Sequence, residues 1–173
     1  MFRFAPVLLS LCLLLTSGCA YHVMETPAQL PPTLRTVAVP IFVNHTNAYK
    51  IDTDFTQAVI RQLTARTKWR VVNHPDPEAN ATLRGEITSF SVVPLTYDNT
   101  TGRSSSFLVT ITASITLTGR DNKVLYRNAS YRFRQQYEET QNLASFIQED
   151  PAAERRLAND FASSAVSDIL ESF

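Results

Sequence analysis

The sequence predicts an α+β fold, two helices packed on one face of a largely antiparallel, about four-stranded sheet. Three observations lead there. From Phe107 to Thr118, the residues Phe107, Val109, Ile111, Ala113, Ile115 and Leu117 alternate with Leu108, Thr110, Thr112, Ser114, Thr116 and Thr118, the period of a strand with one buried face. Two separate segments, Phe55 to Leu63 and Leu157 to Ile169, carry apolar residues at helical spacing instead. Size and composition set the scale: 173 residues, 44% hydrophobic, with 4 Gly and 9 Pro, suit one ordinary globular domain.

Taken in order, residues 19–35 hold Pro27, Pro31 and Pro32 among few large apolar side chains and are expected as a tether, with residues 36–173 as a single domain. Thr36-Val37-Ala38-Val39-Pro40-Ile41-Phe42-Val43 is a β-branched run that reads as the first strand, with Pro40 at an edge, a bulge or a strand end. Asp52, Thr53 and Asp54 offer N-cap oxygens to a helix whose apolar stripe is Phe55, Ala58, Val59 and Leu63, running to Thr67. Trp69-Arg70-Val71-Val72 follows as a short extended run, closed by His74-Pro75-Asp76-Pro77, which makes a βαβ-like opening. Leu83, Gly85 and Ile87 then share one strand face while Phe90 and Val92 fall on the other phase, so a bulge is expected near Thr88 or Ser89. Gly119-Arg120-Asp121-Asn122 turns the chain into a further strand, where Ala129, Tyr131 and Phe133 alternate with Ser130, Arg132 and Arg134, completing a three-strand meander. Asp150 as N-cap and Pro151 at the first helical position open a last helix, with Leu157, Phe161, Ala165 and Ile169 on one stripe.

The amino terminus has a different character. Arg3 precedes an apolar run from Ala5 to Leu15, and Thr16, Ser17 and Gly18 lead into Cys19, so residues 1–18 read as an export signal. The apolar core falls well short of the ~20 residues that a membrane-spanning helix needs. Leu15-Thr16-Ser17-Gly18-Cys19 resembles a bacterial lipoprotein signal, which implies a diacylglycerol on the Cys19 sulfur and an N-acyl chain on its amine, anchoring the protein to a membrane. Ala20, where an inner-membrane lipoprotein often carries Asp, favours the outer membrane by the same resemblance. The other cysteine, Cys12, lies in the discarded segment.

Several classes of function are excluded or unsupported. Loss of residues 1–18 removes Arg3 alone among the charges and leaves 15 basic residues against 16 acidic, no footprint for nucleic acid. His22, His45 and His74 lack metal-binding spacing, so no metal is expected. Gly18, Gly85, Gly102 and Gly119 form no phosphate-cradling loop, and no nucleophile motif occurs, so neither a cofactor nor catalysis is expected. Asp52 with Asp54, and Glu138 with Glu139, read as helix capping and a solvated loop rather than an acid and base pair. The Asn-x-Ser/Thr triplets at Asn44, Asn80, Asn99 and Asn128 read as turn and strand-end chemistry.

Two surface features remain. The polar face carrying Thr110, Thr112 and Thr116 holds no charge, which reflects either the β propensity of Thr or a surface that lies against a partner. Arg84, Lys123, Arg127, Arg132 and Arg134 gather on the strands, with Arg103 and Arg120 in loops; they form either a solvated sheet face or a cluster able to hold phosphate, including that of a glycolipid.

The order of short segments resembles one family. Cys19-Ala20-Tyr21-His22, Leu30-Pro31-Pro32, Thr36 to Phe42 with Asn44, Arg70-Val71-Val72, Ala79 to Gly85, Val93-Pro94-Leu95-Thr96-Tyr97-Asp98 and the Val109 to Leu117 strand are similar to LptE, the lipopolysaccharide-assembly lipoproteins. The resemblance implies a lipid-anchored periplasmic domain seated inside an LptD-like outer-membrane β-barrel and helping to insert lipopolysaccharide into the outer leaflet. It also implies lipopolysaccharide contacts from basic residues, with Arg103 in the loop after Tyr97 as the carried-over candidate beside Arg132 and Arg134. An envelope lipoprotein serving another periplasmic complex through the same sheet is the alternative.

Overall fold

The computed structural model describes residues 34–97, 104–138 and 151–173. Its elements are β1 (Thr36–Ala38), β2 (Val43–Asn44), α1 (Ile51–Arg66), β3 (Arg70–Val72), β4 (Ala81–Tyr97), β5 (Ser104–Gly119), β6 (Val124–Glu138) and α2 (Pro151–Glu171). The sheet has six strands in the order β3-β1-β4-β5-β6, with β2 paired to β4 beyond β1. Pairs β1–β3, β1–β4 and β2–β4 are parallel, while β4–β5 and β5–β6 are antiparallel. The α+β class and the meander agree with expectation, but the sheet is mixed and six-stranded rather than four-stranded and largely antiparallel.

Pro40 accounts for part of that difference. Val39 still donates to Val72 O at 2.8 Å, but Pro40 has no N–H and the chain leaves the ladder, so the expected first strand becomes two. Between them Phe42 turns inward, 2% exposed, and its N–H donates to Thr56 Oγ1 at 2.9 Å. Its ring lies over Gly85, where an added Cβ would sit 2.6 Å from the ring carbons, so only glycine fits at that point of β4.

Helix α1 starts differently from expectation. Lys50 at its N-cap is left-handed, with φ 54°, and no side chain caps the helix; Asp52 and Asp54 lie inside the first turn, where they favour the helix dipole. Helix α2 begins at Pro151 as the sequence predicts; Asp150 lies outside the described residues.

Both helices lie against the face of the sheet that carries Val109, Ile111, Ala113, Ile115 and Leu117. Phe161 of α2 sits at the centre of this core, edge-on to Phe55, Tyr131 and Phe133. Three tyrosines of β6 reach the helix at one-turn intervals. Tyr126 donates to Asp168, Tyr131 to Ser164 Oγ at 2.7 Å and Tyr137 to Asp160 Oδ2 at 2.9 Å. Burial first and the facing carboxylates second push the Tyr126 and Tyr137 phenols far up, so both remain donors. Arg66 joins the helices by donating to Ser163 O at 3.1 Å and Ser167 Oγ at 2.9 Å.

Candidate functional site

Among the described residues no helix lies on the opposite face of the sheet, and the register decides what that face presents. On β5 it shows Thr110, Thr112, Ser114, Thr116 and Thr118, all half-exposed. Directly opposite stand Arg134 against Thr110, Arg132 against Thr112 and Arg127 against Thr116 on β6, and Arg84 against Thr116 on β4. Residues paired across a ladder project to the same side, so the hydroxyl stripe and the four arginines share one open face.

Period-2 counting alone would have split this set. Arg127 has the wrong parity to join Arg132 and Arg134, and Arg84 the wrong parity to join Ser89 and Ser91. Two bulges restore it. The pairing slips between Ile87 and Ser89 on β4, as the sequence predicts, and between Asn128 and Tyr131 on β6, opposite Ile115 and Ala113. The second slip also corrects one expectation: Ala129 does not share the buried face with Tyr131 and Phe133 but is exposed in the bulge.

All four arginines are exposed, and among the described residues none of their side chains makes an ion pair or a hydrogen bond. Lys123 precedes β6 in the turn rather than lying on the face, and Arg120 is drawn off to Glu78 at 2.5 Å. Glu86, opposite Ser114, is the carboxylate closest to the set along β4, and it faces His45 at 3.7 Å. Along β5 the face ends in an apolar rim, where Val93, 49% exposed, pairs with the half-exposed Leu108. Cys19 and Arg103 lie outside the described residues.

The asparagines serve local structure as expected. Asn44 Oδ1 accepts from Thr46 N at 2.8 Å, and Asn80 Oδ1 from Arg35 N and Thr36 N at 3.0 and 2.9 Å. Asn128 Oδ1 accepts from Ser130 N at 3.2 Å inside the bulge; Asn99 lies outside the described residues.

A second concavity, a groove of about 740 Å³, opens where both helices begin, with Phe55, Phe90 and Leu157 on its floor and Asp54 and Glu154 on its rim. Burial, then the hydrogen bond and charge of Asp54, push Glu154 up to about 7. The folded protein therefore holds this proton more tightly than the unfolded chain, whose carboxyl has the ordinary value of 4.5. Stability from this group is complete below pH 4.5 and is lost as pH rises through 7. Glu154→Gln is expected to flatten the fall of the melting midpoint across that window; a fall of undiminished slope in the variant would contradict the assignment. In the sequence Asp54 reads as a helix cap, because its partner lies on the other helix.

Among the described residues no group of His, Cys, Asp and Glu could hold a metal ion, and no helix is long and apolar enough to cross a membrane.

The profile of the LptE family, described as lipopolysaccharide-assembly, matches residues 34–169. Comparison with curated protein sequences finds no match. Among solved structures, a PelC dodecamer from Paraburkholderia phytofirmans is similar with a TM-score of 0.50 and 15% identity, over 79% of this chain and 90% of that one. The rare lipoprotein B from Shewanella oneidensis has a TM-score of 0.47 at 12% identity, over 78% and 95% of the two chains. An uncharacterized lipoprotein B from Nitrosomonas europaea has a TM-score of 0.45 at 20% identity, over 87% of each.

Proposed function

The chain belongs to the LptE family of lipopolysaccharide-assembly lipoproteins, and from that premise we propose that it pairs with an LptD-like β-barrel and assists insertion of lipopolysaccharide into the outer leaflet of the outer membrane. In this reading residues 1–18 are removed and Cys19 carries the diacylglycerol and N-acyl chains. Residues 19–35 span from the lipid to the folded domain on the periplasmic side. The work is binding rather than catalysis, in keeping with a family of non-enzymatic lipoproteins.

The observation that carries the reading is the open face. Thr110, Thr112 and Thr116 stand in a row of hydroxyls that both donate and accept, which suits the mixed polar groups of a barrel lumen. Arg132 and Arg134 stand beside that row, without partners among the described residues, with the planar donors that suit lipopolysaccharide phosphates, and the family resemblance adds Arg103 as a further candidate.

A photo-reactive residue in place of Thr112, compared with one in place of Ala65 on the exposed side of α1, tests this in the intact envelope. The expected product from position 112 is a cross-link to a large outer-membrane barrel, absent from position 65. A cross-link from position 112 to a soluble periplasmic protein alone would favour the other complex and overturn the barrel assignment.

A further inference from the structure

Arg84 and Arg127 come from strands that do not touch each other, yet both stand directly opposite Thr116. With strands ~4.8 Å apart, their Cα atoms lie about 10 Å from one another on the same side of the sheet, with the Thr116 hydroxyl between them. An arginine side chain is long enough to bring its guanidinium over that hydroxyl from either neighbouring strand. Both are strand residues with a direct partner in the register, and each shares this face with the residues beyond the bulge on its own strand.

From this geometry we infer that Arg84, Thr116 and Arg127 form a clamp for a phosphate monoester, separate from Arg132 and Arg134. The assignment rests on the proposed lipopolysaccharide role for the source of the phosphate, but not for the geometry of the clamp. Three features select the ligand. Two cations without partners among the described residues match a dianion better than a single carboxylate. Guanidinium forks and a hydroxyl donor supply the several directed hydrogen bonds that three phosphate oxygens accept. The closest carboxylate on the face, Glu86, is two residues along β4 and faces His45 on its other side, so it does not fill the clamp.

Spacing separates this clamp from the other arginines. Thr116 and Thr112 are four residues apart on β5, roughly 14 Å at ~3.4 Å per residue. One phosphate cannot be shared across that gap, so a ligand that uses both places carries two phosphate groups. The apolar rim at Val93 and Leu108 lies beyond Arg134, which orients an amphiphile with one phosphate over Thr116 and its hydrocarbon toward Val93.

The test uses the acylated full-length protein in detergent micelles, with the arginine side-chain N–H groups observed by NMR. The probes are inorganic phosphate, a glycolipid bearing two phosphate groups, and the same glycolipid after phosphatase treatment. The expected result is a saturable shift of the Arg84 and Arg127 resonances with phosphate and with the phosphorylated glycolipid, and none with the dephosphorylated one. Arg84→Gln and Arg127→Gln are each expected to weaken binding about tenfold, the loss of one charge-assisted interaction, with the melting midpoint unchanged. Arg132→Gln should leave the inorganic phosphate response at Arg84 and Arg127 intact.

The remaining outcomes are decisive in different ways. Binding of inorganic phosphate at both arginines with no glycolipid response there upholds the clamp and removes lipopolysaccharide as its source; if Arg132 and Arg134 are silent to the glycolipids as well, the proposed function fails and the clamp does not. Glycolipid binding lost in Arg132→Gln but unchanged in Arg84→Gln and Arg127→Gln overturns the clamp and leaves the proposed function standing. No shift at Arg84 and Arg127 with any phosphate probe, together with loss of barrel capture in Arg84→Gln, overturns it in favour of a partner's carboxylates.

Discussion

Phe161→Ala is expected to destabilise the domain by about 3–5 kcal/mol, a large share of the ~5–15 kcal/mol typical of a folded domain. Phe161 has 0% exposure, and its ring lies 4.8 Å from Phe55, 5.7 Å from Tyr131 and 6.0 Å from Phe133, each at a steep angle. Truncation removes the transfer free energy of the ring and leaves a cavity bounded by three side chains that are themselves anchored. Phe55 is held by α1, Phe133 by the β6 ladder, and Tyr131 by its hydrogen bond to Ser164. None of the three can collapse into the space without giving up its own contacts, which places the cost in the upper range for such substitutions. Trp69 is the single tryptophan and is 7% exposed, so its fluorescence reports the unfolding directly. A urea titration should show the midpoint falling by about 2 M if the slope is ordinary for this size. A loss below about 1 kcal/mol would mean that the core repacks around position 161 and that α2 is less firmly seated than its contacts imply.

Much of the fold is legible where contacts are local or one face is clearly buried. The Phe107 to Leu117 alternation, the slip after Ile87, the short parallel strand at Arg70 and the start of α2 at Pro151 all follow from period, turn chemistry and proline. What escapes the sequence is set by distant partners. Pro40 warned of an interruption, but that Phe42 would turn in over Gly85, and that β2 would then return to the same edge of β4, depends on a ring fitting a space 43 residues away. Asp54 reads as a cap until Glu154 arrives from the other helix. The bulge at Ala129 has no local signature; only pairing with β5 exposes it, and with it the common face of Arg127, Arg132 and Arg134. The candidate site was therefore readable as a list of residue types and not as a surface. Thr110, Thr112 and Thr116 read as one feature and Arg84, Arg127, Arg132 and Arg134 as another, and it is the register that places both on one face.

The second large effect is expected from replacing Thr110, Thr112 and Thr116 together by Lys. All three are half-exposed on the face away from α1 and α2, so a lysine there can extend its ammonium into water and the domain should fold with its melting midpoint nearly unchanged. Partner binding is another matter. In the proposed pairing three added cations would be buried beside Arg84, Arg127, Arg132 and Arg134, and like-charge repulsion along the strands adds to the desolvation cost. A loss of at least about 3 kcal/mol, more than a hundredfold in affinity, is expected. Gln57, Thr64 and Ala65 on the exposed side of α1 provide the control: replaced by Lys, they add the same charge to the helical side of the domain.

The most direct measurement of the central claim is quantitative affinity purification of the acylated protein from detergent-solubilised envelope, in the wild type and these two triple variants side by side. A large LptD-like barrel recovered in about equal amounts with the wild type and the α1 variant, and lost from the Thr110/Thr112/Thr116 variant, is the predicted result. Equal recovery of the barrel with all three proteins would contradict it, since the open face would then have no part in the pairing.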